Sequence, residues 1–352
     1  MKLSMKIAAM LCTTVSSMLM AQQSAFANDV GVREIAAPSK ERGSDVAVTV
    51  WYPAESGGKA VTLGESVFFV GTPAMLDAPL SDRKLPLVLL SHGAGLAGNP
   101  QALSWIAVPL AKQGFIVAAP THPGNTGSTK SAAETMKLWL RPMDITETLN
   151  AMGEDALFKE HVELNKVGML GLSMGGSTAL AIAGARIDPK RLASYCDTNA
   201  LNHSLCEWVR QSGVDLHTMD LTSADRDNED TRIKFAMAID PAPVDVFEFG
   251  TFSRTSIPVD LVNLGQPGKI PLTAQAAKIA EAIPNARYFT IEDASHYSMF
   301  AECKPGAAEI AESEKVGDPI CTDGGGRSRS EIHAQMIHMV IDAFSRALKP
   351  LP

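Results

Sequence analysis

The serine in the segment GLSMG (171–175) has the surroundings of a catalytic nucleophile. Glycines two positions before and after Ser173 allow a tight turn, because a side chain at either place would collide with the turn. An apolar run over 166–172 predicts a strand before the serine, and a run of small residues over 174–185 predicts a helix after it. This strand–turn–helix context favours a nucleophile over an ordinary glycine-rich turn.

A serine hydroxyl needs a base, and His296 is the residue predicted for that role. Elbow serines of this type are followed along the chain by an acid and then by a histidine. His333 and His338 also come late, but both fall on a predicted amphipathic helix over 330–348, where a packed or solvated histidine is ordinary. His296 lies in the loop DASHY (293–297), just after the last predicted strand, so we expect it to act as general base and then general acid.

The acid that orients this histidine is predicted to be Asp240. The loop after the predicted strand 257–264 carries no carboxylate, and Asp260 lies inside that strand. One strand earlier, the run over 233–239 ends directly before Asp240. Asp240 therefore stands where a carboxylate could hold the imidazole and stabilise its charged form. The alternative is that Asp240 only caps a turn before Pro241.

The segment SHGAG (91–95) follows a strong apolar strand over 85–90 and predicts half of an oxyanion hole. We expect one backbone N–H from Ala94 and a second from Met174, just after the nucleophile. Two such donors typically lower the barrier by several kcal/mol. His92 is expected to satisfy backbone groups of its own loop, with no part in proton transfer.

The elements that must position these residues alternate between strands and helices. Strands are predicted at 46–51, 85–90, 115–119, 166–172, 233–239, 257–264 and 287–291, and helices at 101–113, 145–152, 174–185, 273–282 and 330–348. Most of the strands are continuous apolar runs, as in a parallel sheet covered on both faces. The pattern predicts an α/β class with a mostly parallel, doubly wound sheet.

Two segments do not follow this alternation. Residues 186–231 are polar and are expected to form an insertion, which could be lid-like. Residues 301–329 are expected to form a loop. Its triplet GGG (324–326) follows no strand and opens no phosphate-binding pattern, so a flexible loop is the favoured interpretation.

The first 27 residues have the layout of a secretory signal peptide. Lys2 and Lys6 precede an apolar run over 7–20, and AFA (25–27) is a small-x-small cleavage signal. A buried N-terminal helix is the alternative. We expect cleavage after Ala27, a periplasmic or secreted protein without integral membrane association, and one hydrolase domain over 28–352.

Four cysteines follow the predicted cleavage site, and an even number in an exported protein suggests disulfides. Local pairing, Cys196 with Cys206 and Cys303 with Cys321, is favoured because each pair lies in one loop-like segment. Sequence alone leaves three connectivities open. Zinc is the competing interpretation, but no pair has the short Cys-x-x-Cys spacing.

Composition excludes several classes of protein. With 45% hydrophobic and 20% charged residues the chain can bury a large core, so disorder is excluded. A net charge of −8 without a basic run argues against nucleic acid or anionic lipid as partner. No metal or organic cofactor is expected, because neither a His-Glu-x-x-His pattern nor a dinucleotide fingerprint occurs. The sequence leaves the oligomeric state open.

Five segments resemble the dienelactone-hydrolase-like and platelet-activating-factor acetylhydrolase-like branch of the α/β-hydrolases. They are LPLVLLSHGAG (85–95), QGFIVAAPTHPG (113–124), RPMDI (141–145), VGMLGLSMGG (167–176) and FAMAIDPAP (235–243). The resemblance implies the α/β-hydrolase fold, a triad aspartate at Asp240 and an oxyanion donor at Ala94. The departures are Leu172, where histidine is common, and the cysteine-bearing insertion. Dienelactone hydrolases use a cysteine nucleophile, so Ser173 argues against that activity.

These observations predict an exported serine hydrolase that cleaves short- to medium-chain or aromatic carboxylic esters through an acyl-enzyme. The alternatives are an amidase or peptidase with the same triad, and a non-catalytic binding scaffold. Apolar side chains are expected around the carboxyl ends of the strands, where such sheets bind ligands, although a core role is as probable for the phenylalanines. The candidates are His122, Phe247, Phe249, Phe252, Tyr297, Met299 and Phe300, with Trp139 and Trp208 as candidates for a lid.

Overall fold

Residues 29–125 and 129–349 are described by the computed structural model, in which ten strands form a single sheet. The predicted signal peptide, residues 1–27, lies outside the described residues. The strands are β1 (Asp29–Ala37), β2 (Val46–Ala54), β3 (Lys59–Leu63), β4 (Thr72–Leu76), β5 (Leu85–Ser91), β6 (Ile116–Pro120), β7 (Val162–Leu172), β8 (Ile233–Ile239), β9 (Val259–Leu264) and β10 (Ala286–Ile291). Their order across the sheet is β10-β9-β8-β7-β5-β6-β2-β1-β4-β3.

Strands β5 to β10 all run parallel and form the half of the sheet that carries the candidate site. Strand β2 joins this block antiparallel to β6, and β1 and β3 add further antiparallel pairs. The predicted α/β class with a mostly parallel sheet is confirmed. Because the carboxyl ends of parallel strands lie at one edge, the loops after β5, β7, β8 and β10 converge there.

Helices cover both faces of the parallel block. They are α1 (Ser104–Lys112), α2 (Ala132–Met136), α3 (Leu140–Glu154), α4 (Met174–Ile182), α5 (Pro189–Ala193), α6 (His203–Gln211), α7 (Ala277–Ala282), α8 (Ala307–Ser313) and α9 (Arg329–Leu348). Helices α3 and α4 bury Ile145 and Leu180 in one apolar cluster, and α1 and α9 bury Ile106 and Phe344 in the other. This two-sided burial explains why every side chain of β5 and β6 is buried.

Strands β1, β3 and β4 were absent from the sequence prediction. They lie in the outer part of the sheet. Strands β1 and β3 mix exposed charged or polar residues with apolar ones, and β4 exposes Pro73 and Leu76. Short outer strands carry a weak apolar signal because one face or edge stays in contact with solvent. The continuous runs of the buried strands were therefore easier to recognise.

Residues 186–231 contain helices α5 and α6, joined by a disulfide between Cys196 and Cys206. Helix α6 buries Leu205 and Val209 in the same apolar cluster as α3 and α4. The segment therefore packs on the sheet layer through an apolar helix face.

Residues 301–329 contain α8 and the second disulfide, between Cys303 and Cys321. Both disulfides have the local connectivity that the sequence favoured.

Of the helices in the described ranges, none is both long and apolar enough to cross a bilayer.

Candidate active site

Ser173 stands on the tight turn between β7 and α4, with φ +54° and ψ −122°. An ordinary side chain rarely adopts a positive φ, so this backbone is strained. A Cβ at Gly171 would lie 1.9 Å from the carbonyl oxygen of Gly175, and a Cβ at Gly175 would lie 1.8 Å from that of Ser91. Glycine is therefore required at both positions for this turn to form.

His296 begins a short 3-10 helix, His296–Met299, in the loop after β10. Its Nε2 lies 3.1 Å from Ser173 Oγ, and its Nδ1 lies 2.6 Å from Asp240 Oδ2. Because a carboxylate only accepts, Nδ1 carries the proton and Nε2 is free to accept one from the serine. The side chain is 20% exposed, so this contact opens towards solvent.

Asp240 directly follows β8 and is fully buried. Its Oδ1 accepts hydrogen bonds from Asn263 Nδ2 at 2.7 Å and from the backbone N–H of Leu264 at 3.0 Å. These bonds leave Oδ2 directed at His296. Asp260 lies elsewhere, bonded through both carboxylate oxygens to Arg287.

Asn263 was not predicted from the sequence, because only a carboxylate near the end of β9 was expected to orient the histidine. Its Nδ2 also donates to the carbonyl of Ala274 at 2.7 Å, and its Oδ1 accepts from the N–H of Ala276 and the hydroxyl of Tyr288, both at 3.0 Å. With all of these bonds made, the amide is locked in one orientation towards Asp240. The available signal was a polar residue near the end of an otherwise apolar strand.

The loop after β5 lies directly against the serine. A Cβ at Gly93 would be 3.3 Å from Ser173 Cβ and 3.6 Å from its Oγ. The next residue, Ala94, and the residue after the serine, Met174, each have a backbone N–H that donates to no atom of residues 29–125 or 129–349. Both predicted oxyanion donors are therefore unpaired; Met174 adjoins Ser173 in the chain, and Ala94 follows Gly93, which lies against the serine.

A second chain of serine, histidine and aspartate lies inside the protein. We call Ser173, His296 and Asp240 the cleft triad, and Ser91, His122 and Asp144 the buried triad. In the buried triad Ser91 Oγ lies 2.8 Å from His122 Nε2, and His122 Nδ1 lies 2.8 Å from Asp144 Oδ2. Of the two alternatives for His122, a cleft residue or a brace for its loop, the structure agrees with the second, because the side chain is buried.

Burial and the charges of two arginines keep the buried triad from proton transfer. Arg42 donates to both oxygens of Asp144, at 3.0 and 2.7 Å, and so neutralises it. Burial, and then the charges of Arg141 and Arg42, hold the pKa of His122 well below its usual value of 6.5. His122 is therefore neutral at physiological pH, and its Nε2 accepts a hydrogen bond from the Ser91 hydroxyl.

The other predicted pocket residues have different positions. Phe247 and Phe252 are core residues, and Trp139 is also buried in the core. Met299 is buried, and its carbonyl accepts from the indole of Trp105. The core interpretation is therefore correct for these side chains.

Phe249 is 51% exposed on the surface, and Trp208 carries Lys130 over its ring at 4.9 Å. Tyr297 and Phe300 are half-buried, with ring centroids 6.0 Å apart, and the Tyr297 ring also contacts His296 at 5.9 Å. Tyr297 therefore contacts the cleft triad, and Phe300 is linked to it through the Tyr297 ring.

A cavity of about 520 Å³ opens beside this aromatic pair. Phe300 forms part of its wall and meets Phe69 at 5.6 Å between ring centroids, and Leu96, two residues after Ala94, forms another part. Its charged lining consists of Glu34 and Glu65, so the cavity suits neutral or apolar groups better than anions.

The described residues contain no group of three or more His, Cys, Asp or Glu side chains arranged to hold a metal ion. The buried His and Asp side chains bond to one another, to arginine or to backbone instead.

A family model for the α/β hydrolase fold matches residues 86–219, which include Ser173 and the loop after β5. No curated protein matches the chain in sequence.

Solved structures resemble the chain over most of its length. A ferulic acid esterase from Streptomyces cinnamoneus is 16% identical with a TM-score of 0.56, covering 95% of this chain and 93% of that one. A puromycin-hydrolyzing peptidase of Mycobacterium tuberculosis is 14% identical with a TM-score of 0.50, and the chain spans only 39% of it. A dienelactone hydrolase from Anabaena variabilis is 13% identical over 90% of this chain and 98% of that one, with a TM-score of 0.49. The resemblance drawn from the sequence is confirmed in fold: the chain is an α/β-hydrolase-fold protein.

Proposed function

We propose that the chain is a serine hydrolase that cleaves carboxylic esters through an acyl-enzyme. The observation that carries this proposal is the hydrogen-bonded cleft triad, in which a strained serine meets a partly exposed histidine. The triad is recognised by such geometry and not by sequence position. A hydrolase fold supports the general class, and the triad residues supply the specific chemistry.

In the proposed reaction, Ser173 Oγ forms a bond to the ester carbonyl carbon while His296 Nε2 takes the serine proton. The carbonyl π electrons move to oxygen, and the N–H groups of Ala94 and Met174 stabilise that oxyanion. The carbon–oxygen bond to the alcohol then breaks, and His296 protonates the leaving oxygen. Water then attacks the acyl-enzyme through the same steps, which releases the acid and regenerates Ser173. Asp240 stabilises the imidazolium in both half-reactions.

We propose short- to medium-chain or aromatic esters as substrates. The cavity lined by Phe69 and Phe300 has aromatic walls and no lining cation, and the Tyr297 ring links Phe300 to His296. These features favour an uncharged acyl or aryl group there. The structural resemblance to a ferulic acid esterase agrees with an aromatic ester. The peptidase neighbour keeps amide hydrolysis as the second candidate.

We also propose that the protein is exported after cleavage at Ala27, to the periplasm or the medium. Two disulfides support an oxidising compartment, because such bonds persist outside the cytosol. Intact mass of the purified protein tests the cleavage site. If the protein is produced in a host that can export it and still contains residues 1–27, the proposed cleavage is contradicted.

The central test is hydrolysis of p-nitrophenyl esters from acetate to a long acyl chain, with p-nitroanilides in parallel and Ser173→Ala as control. Ester turnover that is lost in the variant supports the esterase. The dependence of turnover on acyl chain length shows how long an acyl group the site accepts. Turnover of anilides alone identifies an amidase. No turnover and no fluorophosphonate labelling of Ser173 would favour the binding scaffold and overturn the proposal.

A further inference from the structure

Arg141 lies in the first turn of α3, and its guanidinium is inserted between the loop after β5 and helix α4. Its Nη2 donates to the backbone carbonyl of His92. Its Nε donates to Thr178 Oγ1 at 3.0 Å, and that hydroxyl donates in turn to the carbonyl of Met174 at 3.0 Å. One side chain therefore bonds to both segments that carry the unpaired N–H groups beside the nucleophile.

On the loop side, His92 transmits this anchoring to the peptide that carries the Ala94 N–H. The ring Nδ1 of His92 donates to the carbonyl of Gly93 at 2.8 Å, and its Nε2 accepts from the backbone N–H of His122 at 3.1 Å. The Gly93 carbonyl and the Ala94 N–H belong to one planar trans peptide and point in opposite directions. Holding the carbonyl therefore aims the N–H.

On the helix side, the bond through Thr178 reaches the first turn of α4, where Met174 presents its own N–H. We propose that Arg141 is a positioning residue that holds the N–H groups of Ala94 and Met174 at the separation an oxyanion requires. This inference rests on the oxyanion role proposed above for those two groups. Arg141 itself touches neither substrate nor Ser173; its Nη2 also donates to Ser91 Oγ at 3.4 Å.

Stability alone does not account for an arginine here. Arg141 is only 2% exposed, and its Nη1 has no hydrogen-bond partner in the described ranges. Burial lowers its pKa to about 9, so the group is still charged at neutral pH. Asp144 attracts it but is already bonded through both oxygens to Arg42. Such a buried, incompletely paired charge destabilises a fold compared with an apolar residue.

The test compares variants that break the two arms of Arg141. Arg141→Lys keeps the charge but loses the planar fork, which cannot be replaced by one ammonium. Thr178→Val removes the helix arm at nearly constant volume, and Thr178→Ser restores its hydroxyl. Arg329→Lys is the matched control, because Arg329 is also buried and bonds backbone carbonyls, in the segment of the second disulfide.

The readouts are kcat and KM for p-nitrophenyl acetate, the melting temperature and the Ki of a short alkyl trifluoromethyl ketone. Ser173 Oγ adds to the ketone carbon and gives its proton to His296, which leaves an alkoxide in the oxyanion hole. We expect Arg141→Lys to lower kcat about 10- to 100-fold and to raise the ketone Ki by the same factor, with little change in KM. Thr178→Val should lose about tenfold in kcat, while Thr178→Ser and Arg329→Lys stay near wild type.

Two results overturn the inference: a folded Thr178→Val or Arg141→Lys with wild-type kcat, or a loss of kcat without weaker ketone binding. If Arg141→Lys does not fold, the comparison of Thr178→Val with Thr178→Ser tests the inference. If the wild type hydrolyses no ester, the rate of fluorophosphonate labelling of Ser173 replaces kcat, because the phosphonyl oxygen enters the same hole. In that case the ester proposal has failed while the positioning inference is still measured. An unreactive Ser173 in the wild type would overturn both.

Discussion

The cleft triad and the buried triad contain the same three residue types in the same hydrogen-bond order, with comparable distances. They differ in their surroundings. The histidine of the cleft triad is partly exposed, whereas histidine and aspartate of the buried triad are fully enclosed. Hydrogen-bond geometry alone therefore does not distinguish the proposed nucleophile from a structural serine.

The charges around the two aspartates explain the difference. Asp240 accepts hydrogen bonds from the uncharged groups of Asn263 and Leu264, so its negative charge remains available to a developing imidazolium. Asp144 is neutralised by Arg42, and the nearby arginines oppose a proton on His122. A histidine in such a site can orient a hydroxyl but cannot hold the proton it would remove.

The largest expected effect is on the two serines. Ser173→Ala should lower kcat/KM for an ester by about 10⁴-fold or more, because it removes the attacking atom. Ser91→Ala should keep turnover within about one order of magnitude and mainly lower stability by about 1 kcal/mol, the net value of a lost hydrogen bond. Ester assays and urea unfolding of both variants measure this. Equal losses of activity would contradict the distinction between the triads.

The two aspartates should show the next largest difference. Asp240→Asn should lower kcat by about 10⁴-fold with little loss of stability, because the imidazole loses its oriented, charged partner. Asp144→Asn should instead destabilise the fold by about 3–5 kcal/mol, since it leaves the buried Arg42 with only the more distant carboxylate of Glu134, at 3.6 Å. Asp260→Asn is the control, because Asp260 bonds only the edge residue Arg287 and activity should persist.

Replacing Asn263 should have a smaller effect that is specific to the cleft triad. Asn263→Ala removes a donor to Asp240 Oδ1, and we expect kcat to fall about 10- to 100-fold with KM nearly unchanged, as for a hydrogen bond to a charged group. Steady-state kinetics at several pH values measures it. Wild-type kcat in the folded variant would show that Leu264 N–H alone holds the carboxylate.

The last prediction concerns how buried histidines, including His122 of the buried triad, make the stability of the fold depend on pH. Burial lowers the pKa of His333 from 6.5 to about 4, and His92 and His122 shift in the same direction. Below pH 6.5 the unfolded chain binds protons that the folded protein does not, so the free energy of unfolding falls as pH falls towards 4. At pH 5 His333 alone should remove about 2 kcal/mol relative to pH 7. Urea unfolding of the wild type and of His333→Gln at pH 7 and pH 5 tests this. An equal change in the free energy of unfolding between the two pH values in both proteins would contradict it.

Sequence was sufficient for the parts of the site that depend on local order. The glycines around Ser173, the apolar strand before it and the position of Asp240 directly after β8 are visible in short segments. His296 followed from its loop after β10. The fold class followed from the continuous apolar runs of the buried strands.

The rest depended on contacts between distant residues. Asn263 approaches Asp240 only because β9 lies beside β8 in the sheet. The motif RPMDI (141–145) contributed to the family resemblance, but it did not predict the bonds of Arg141 and Asp144. Those bonds depend on how α3 packs against two loops. Sequence patterns report burial and local turns, and they do not specify which buried polar groups meet.

The backbone at Ser173 also has a consequence for protein engineering. A non-glycine residue at φ +54° costs on the order of 1–3 kcal/mol. Glycine adopts this conformation without that cost, so Ser173→Gly should be inactive yet melt at a higher temperature than the wild type. Selection for heat resistance alone would therefore tend to discard the serine, and a thermostability screen of this protein must retain an activity step.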